Sequence, residues 1–225
     1  MANEQRANGI SAAFAKISDD RACDYVRRYY GLNNDHQGPF TGAHFDGLPT
    51  VAANRITAED IIAVSCLSVH VPAAAAVEIL GGQTEEISAL LSRIPISNLE
   101  ELPIDQHEEL FGAGSAASDF WLLLRKHVGV GPTTASKLMA RKRPGLIPIY
   151  DSVVARVTGF DSSADTWRAW HNAFSTDGAL QDRLGRLRDS VGLERVSLLR
   201  ILDVVLWMDG KGFVERERVD VVEAG

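Results

Sequence analysis

Apolar residues recur every third or fourth position along most of the chain, and turn residues divide them into blocks. Ile10 to Tyr30 carries Ala13, Phe14, Ile17, Ala22, Tyr25 and Val26 at helical spacing, with Asp19 and Asp20 marking a break. Gly31 ends that block as a C-cap glycine. Thr57-Ala58-Glu59-Asp60 has the form of a capping box with Asp in place of Glu, opening a helix from Ala58 to about Val69. Pro72 starts a further helix that Gly81-Gly82 stops, and Thr84 opens another through Leu91. Residues 95–113 are acidic and turn-rich, reading as a connecting segment or a surface helix. Later blocks hold Trp167, Trp170 and Phe174, then Leu184 and Leu187 behind Asp177, then Leu198 to Leu206 behind Ser197. No block before residue 214 alternates with period two, so the pattern predicts an all-α fold. Residues 1–10 are expected to be a flexible tail and 214–225 a second one, or a short strand. Residues 11–213 between them form one helical domain or two small lobes.

Leu32 to Arg55 breaks the periodicity. Asn33, Asn34, Gly38, Pro39, Gly42, Gly47 and Pro49 are dense breakers, yet the stretch carries Phe40, His44, Phe45 and Leu48. Either these aromatics pin the loop to the core, or the loop lines a pocket or stacks on a base.

The most informative stretch runs through residues 118–158. Phe120, Leu123, Leu124 and His127 lead to Gly129-Val130-Gly131-Pro132, and Ala135, Leu138 and Met139 follow. The glycines free the backbone for a tight turn, Val130 can anchor it, and Pro132 suits a first helical position. Two helices joined by a glycine hairpin result, over 118–143, and the second presents N–H groups suited to phosphate.

Gly129-Val130-Gly131 followed by Thr134-Ala135 resembles the helix-hairpin-helix of the helix-hairpin-helix-GPD superfamily of DNA glycosylases. Ile147-Pro148-Ile149-Tyr150-Asp151-Ser152-Val153-Val154 resembles the apolar segment and helix-opening Asp that follow the hairpin in that family. Thr133 and Asp151 are 18 positions apart, the family's usual spacing between its hairpin Lys position and its Asp. The close match covers about 30 residues of the 225. The whole chain is also similar to an uncharacterised family of mostly actinobacterial proteins.

The resemblance implies a helix-hairpin-helix-GPD-like domain that excises a damaged or modified base from DNA. Asp151, in segment 147–158, would stabilise the oxocarbenium-like transition state or activate water. Asp is equally a preferred helix N-cap, and the two roles are compatible. Thr133 stands where bifunctional members carry a Schiff-base Lys, which implies a monofunctional enzyme. Gly129, Val130, Gly131, Thr133, Thr134, Lys137, Arg141 and Lys142 are the expected DNA contacts. Phe40, His44, Phe45, Trp121 and Tyr150 are candidates to line the base pocket. The alternatives are a non-catalytic helix-hairpin-helix DNA-binding module and a protein-interaction scaffold.

Charge modifies this picture. The formal net charge is −7, unlike a general nucleic-acid binder. Between Phe120 and Tyr150, however, stand Arg125, Lys126, Lys137, Arg141, Lys142 and Arg143, and no acid. This suggests a basic face on an acidic body, or a helix end whose cations complement its dipole. Cys23 and Cys66 are too few for the four-Cys ligation of an iron–sulfur cluster. The six histidines show no metal-ligand spacing, so no cofactor and no metal are expected. The polar N-terminus and the lack of a membrane-length apolar run lead to the expectation of a cytoplasmic protein with no membrane partner.

Overall fold

Thirteen α-helices and no strand make up the described residues of a computed structural model. It describes residues 2–33, 38–163 and 165–213, with side chains from residue 9 onward. The first six helices are α1 (Ala2–Ala15), α2 (Asp19–Tyr30), α3 (Ala43–Gly47), α4 (Ala58–Ser65), α5 (Ala73–Leu80) and α6 (Thr84–Arg93). After two short 3-10 turns come α7 (His107–Phe111), α8 (Ala116–Arg125), α9 (Pro132–Lys142) and α10 (Ser152–Thr158). The last three are α11 (Thr166–Thr176), α12 (Gly178–Ser190) and α13 (Leu198–Gly210). No described helix is long and apolar enough to cross a membrane.

The break expected at Asp19 and Asp20 falls just before them. Ser18 caps α2, its Oγ accepting from the Arg21 N–H at 3.3 Å, and Gly31 closes the helix at φ +66°. Thr57 and Asp60 form the capping box of α4. Two boundaries differ from the sequence pattern. The first helix begins at Ala2 instead of after a loose tail, and it packs against α11 with Ile10, Ala13 and Phe14 buried. Helix α4 stops at Ser65 instead of near Val69, and Ser68 follows with a left-handed backbone at φ +59°. The expected tail at 214–225 lies outside the described residues.

One contiguous cluster of buried side chains extends from Ile10 to Met208. Helix α13 is its centre: nearly all of Leu198 to Leu206 is buried, and α2, α10 and α12 pack around it. Gly210 permits a close approach, since a Cβ there would stand 2.7 Å from Val153 Cγ1 of α10. That contact fixes the start of α10 against the end of α13.

The α8–α9 connection is a glycine turn. Gly129 adopts φ +82°, Val130 is buried beneath it, and Gly131 precedes Pro132 at the first position of α9. A Cβ on Gly129 would also meet Pro72 Cγ at 2.7 Å, whereas one on Gly131 would meet nothing within 4 Å. Gly129→Ala should therefore cost about 1–2 kcal/mol from the backbone alone, with the clash added. Gly131→Ala should cost less than about 1 kcal/mol. Urea denaturation of the two variants checks this ordering, and equal losses would contradict the turn geometry.

Candidate active site

Asp151 sits where an extended segment turns into α10. Its Oδ1 accepts from the Val153 N–H at 2.9 Å, the N-cap bond expected of an Asp there. Its second oxygen, Oδ2, accepts from Lys137 Nζ at 3.3 Å. Lys137 is the sixth residue of α9 and also donates to the Leu67 carbonyl at 2.8 Å. Both side chains line a cleft of about 370 Å³, together with Thr133, Ser152 and the strained Ser68. A backbone held at positive φ by a non-glycine residue is a feature that clusters at functional sites. The cleft volume falls within the range of roughly 300–1,000 Å³ typical of small-ligand sites.

The cleft also has an aromatic wall. Tyr29, Phe40 and Trp207 line it, with the Tyr29 and Phe40 rings stacked at 5.7 Å. Phe40 is fixed by its own N–H, which donates to the Tyr29 carbonyl at 3.0 Å. The irregular loop thus reaches the cleft through Phe40, Thr41 and Gly42.

Beneath the cleft is a buried polar network. Arg200 reaches Asp46 through Nε at 3.0 and 3.1 Å, Tyr29 Oη through Nη2 at 2.7 Å, and Asp203 through Nη1. Tyr30 donates to Asp46 at 2.9 Å. Asp203 Oδ1 is buried without a partner among the described residues. Burial pushes the Asp203 carboxyl up to about 6 despite the neighbouring Arg200. Burial likewise lowers the Lys137 ammonium from its usual value, with Asp151 opposing that shift.

The sequence-derived residues divide into separate groups. Thr133, Lys137, Asp151 and Phe40 converge on one cleft. Trp121 and Tyr150 line a different one, of about 350 Å³. Phe45 is a core residue under the guanidinium groups of Arg141 and Arg200, at 5.9 and 5.4 Å. His44 is exposed and lines neither cleft. Gly129, Val130 and Gly131 form the turn as expected, but Thr134 is buried.

The basic face requires correction. Lys137, Arg141, Lys142 and Arg143 are each 5% exposed or less. Arg141 holds Asp60 and the carbonyls of Phe45, Leu48 and Pro49, at 2.6–3.1 Å. Lys142 reaches the other Asp60 oxygen at 2.6 Å. Arg143 donates to the carbonyls of Ile94, Ala53 and Leu91 and to the Asn54 side chain. These cations are internal fasteners for the irregular loop, because a long side chain can satisfy carbonyls that helices and sheets leave unpaired. Arg125 and Lys126 are the exposed cations of that window. Reversing the charge of Arg141 would damage the fold and says nothing about DNA contact.

Sequence reasoning did not place Tyr29, Trp207 or the Arg200–Asp203 pair at the site. The pair carried a signal: two opposite charges at i and i+3 inside the apolar run Leu198-Leu199-Arg200-Ile201-Leu202-Asp203-Val204-Val205. Charges within a fully buried stripe are kept only when paired. Among the described residues, no three His, Cys, Asp or Glu side chains gather as a metal site would need. No curated protein and no solved structure matches the chain. Residues 22–210 match a family described as "Family of unknown function (DUF6308)", and the chain belongs to that family.

Proposed function

We propose that this protein is a base-excising enzyme acting on DNA, a divergent relative of the helix-hairpin-helix-GPD glycosylases, with Asp151 as its catalytic carboxylate. One observation carries the reading: Asp151 caps α10 with one oxygen and turns the other into a cleft of suitable size beside Thr133. An oxocarbenium-like centre forming there would meet a carboxylate held in place by the Val153 N–H and Lys137. Tyr29, Phe40 and Trp207 offer aromatic surface for an extruded base.

The reaction is hydrolytic in this reading. Thr133 has no amine to form a Schiff base, and the Lys137 ammonium is held by two acceptors. Asp151 would orient or deprotonate a water that attacks C1′ as the base leaves, giving an abasic sugar. Hairpin N–H groups, Arg125 and Lys126 remain to contact phosphate, so duplex affinity should be weak and its salt slope about 2 or less.

The test is a screen of duplex and single-stranded oligonucleotides carrying alkylated, deaminated, oxidised and hypermodified bases, with released base read by mass spectrometry. Release with strand cutting only after alkali supports the proposal. Borohydride trapping of a covalent complex would move the nucleophile to Lys137 and overturn the monofunctional mechanism. No release from any substrate, with duplex binding intact, would favour a non-catalytic DNA-binding module. No binding at low salt would favour a protein-interaction scaffold.

A further inference from the structure

The second cleft lies between α7, α8 and α11 and does not involve Asp151. Trp121 and Trp167 meet edge to face at 5.6 Å on its wall, and Phe111 packs on Trp167 at 5.4 Å. His107 lies against Phe111 and is 6% exposed. Its Nδ1 is 3.1 Å from Nδ1 of the fully buried His171.

The hydrogen-bond chain fixes both tautomers. His171 Nε2 is 2.9 Å from the Leu102 carbonyl, which can only accept, so Nε2 carries a hydrogen. Burial lowers both imidazoles from their usual value and keeps them neutral. His171 Nδ1 is therefore a lone pair, and His107 Nδ1–H must donate to it. That leaves His107 Nε2 as a bare acceptor. No donor among the described residues meets it, and His107 lines the cleft. An unpaired acceptor on a residue that lines the cleft can take an N–H from a ligand.

We propose that this cleft is a binding site for a neutral, planar heteroaromatic molecule bearing a ring N–H, which stacks on Trp121 and Trp167 and donates to His107 Nε2. The cleft volume of about 350 Å³ accommodates a bicyclic ring. Aromatic walls favour flat faces over aliphatic chains. Arg168 beside His107 disfavours a cationic ligand, and Glu108, which pairs with Arg168, disfavours an anionic one. The site is independent of the Asp151 cleft and stands or falls separately from the catalytic reading.

The test is NMR titration of the intact protein at pH 7 with indazole and with 1-methylindazole, which keeps the bicyclic ring and carries a methyl in place of the N–H hydrogen. Indazole should shift the indole resonances of Trp121 and Trp167 and the His107 Nε2 nitrogen, leaving Trp170 and Trp207 unmoved. The methylated ring should bind about tenfold more weakly, the equivalent of one hydrogen bond. His107→Phe keeps an aromatic ring and removes the acceptor, so the ratio between the two ligands should fall to about one. Arg168, His171, Glu108, Asp165 and Tyr150 are the titratable groups beside His107 or on the same cleft. Indazole affinity should hold from neutral pH downward and be lost as pH falls through about 4, where His107 takes a proton. The comparison of two ligands on the unaltered protein remains decisive if the variant does not fold. Equal affinity for the two ligands, shifts centred on Trp207, or no saturable binding would each overturn the proposal.

Discussion

Asp151→Asn is expected to lower base release at least about a hundredfold without weakening duplex binding. The carboxylate acts on positive charge that appears only in the transition state, so its loss falls on turnover and not on ground-state affinity. The substitution keeps the cap, because an Asn Oδ1 can still accept from the Val153 N–H. What it removes is the charge opposite Lys137. The Lys137 side chain is 5% exposed and its ammonium would then keep the Leu67 carbonyl alone. Stability should drop, by less than the roughly 3–5 kcal/mol of a fully buried broken pair, because Asp151 is 17% exposed and Lys137 can release its proton. Removing Asp151 takes away a charge that raises the Lys137 pKa, so the folded-state value drops further below the ordinary 10.5. The folded variant then loses the Lys137 proton at lower pH than folded wild type, so its stability relative to wild type rises with pH between those two lowered values, both below 10.5, and is level above them. Urea denaturation across pH measures this alongside single-turnover base release. Equal release rates in the two proteins would remove Asp151 from the mechanism.

The helices were legible because their boundaries are local chemistry. Asp177 and Ser197 cap the helices that their sequence positions suggest, and Gly31 closes α2. The turn at Gly129 and the N-cap role of Asp151 were visible for the same reason. The irregular loop was legible only as irregular. Its position is set by Arg141 and Arg143, about ninety residues later, through backbone carbonyls that leave no trace in sequence. The same fact hid the burial of the basic run. Three consecutive cations at a helix end look solvated, and nothing local reveals that Asp60 and a set of loop carbonyls enclose them. Likewise the aromatics of segment 32–55 went to different places: Phe40 to the cleft, Phe45 to the core.

Asp60→Asn should be among the most damaging single substitutions in the chain. Asp60 is fully buried, and its two oxygens face Arg141 Nε at 3.1 Å and Lys142 Nζ at 2.6 Å. The same carboxylate closes the capping box, accepting from the Thr57 N–H at 3.0 Å. One anion thus compensates two cations, ties α4 to α9 and starts α4. Asn would retain one acceptor and place an NH₂ against a buried donor. Removing one partner of a buried charge group costs about 3–5 kcal/mol, a large part of the roughly 5–15 kcal/mol that holds a domain folded. The urea midpoint should fall by more than about 1 M. Burial already pushes the Lys142 ammonium below its usual value, with Asp60 opposing. Replacing Lys142 as well removes one of the stranded charges, so Asp60→Asn with Lys142→Met should recover part of the loss. A coupling of at least about 1 kcal/mol is expected between these directly contacting residues. The loop from Phe45 to Pro49 should loosen with Arg141, and through Phe40–Gly42 the disturbance should reach the Asp151 cleft. Base release and stability should therefore fall together in Asp60→Asn, whereas Asp151→Asn should lose release far more than stability. Additive losses in the Asp60 and Lys142 cycle, or a midpoint unchanged by Asp60→Asn, would place these three side chains in solvent and restore the basic face to the hairpin.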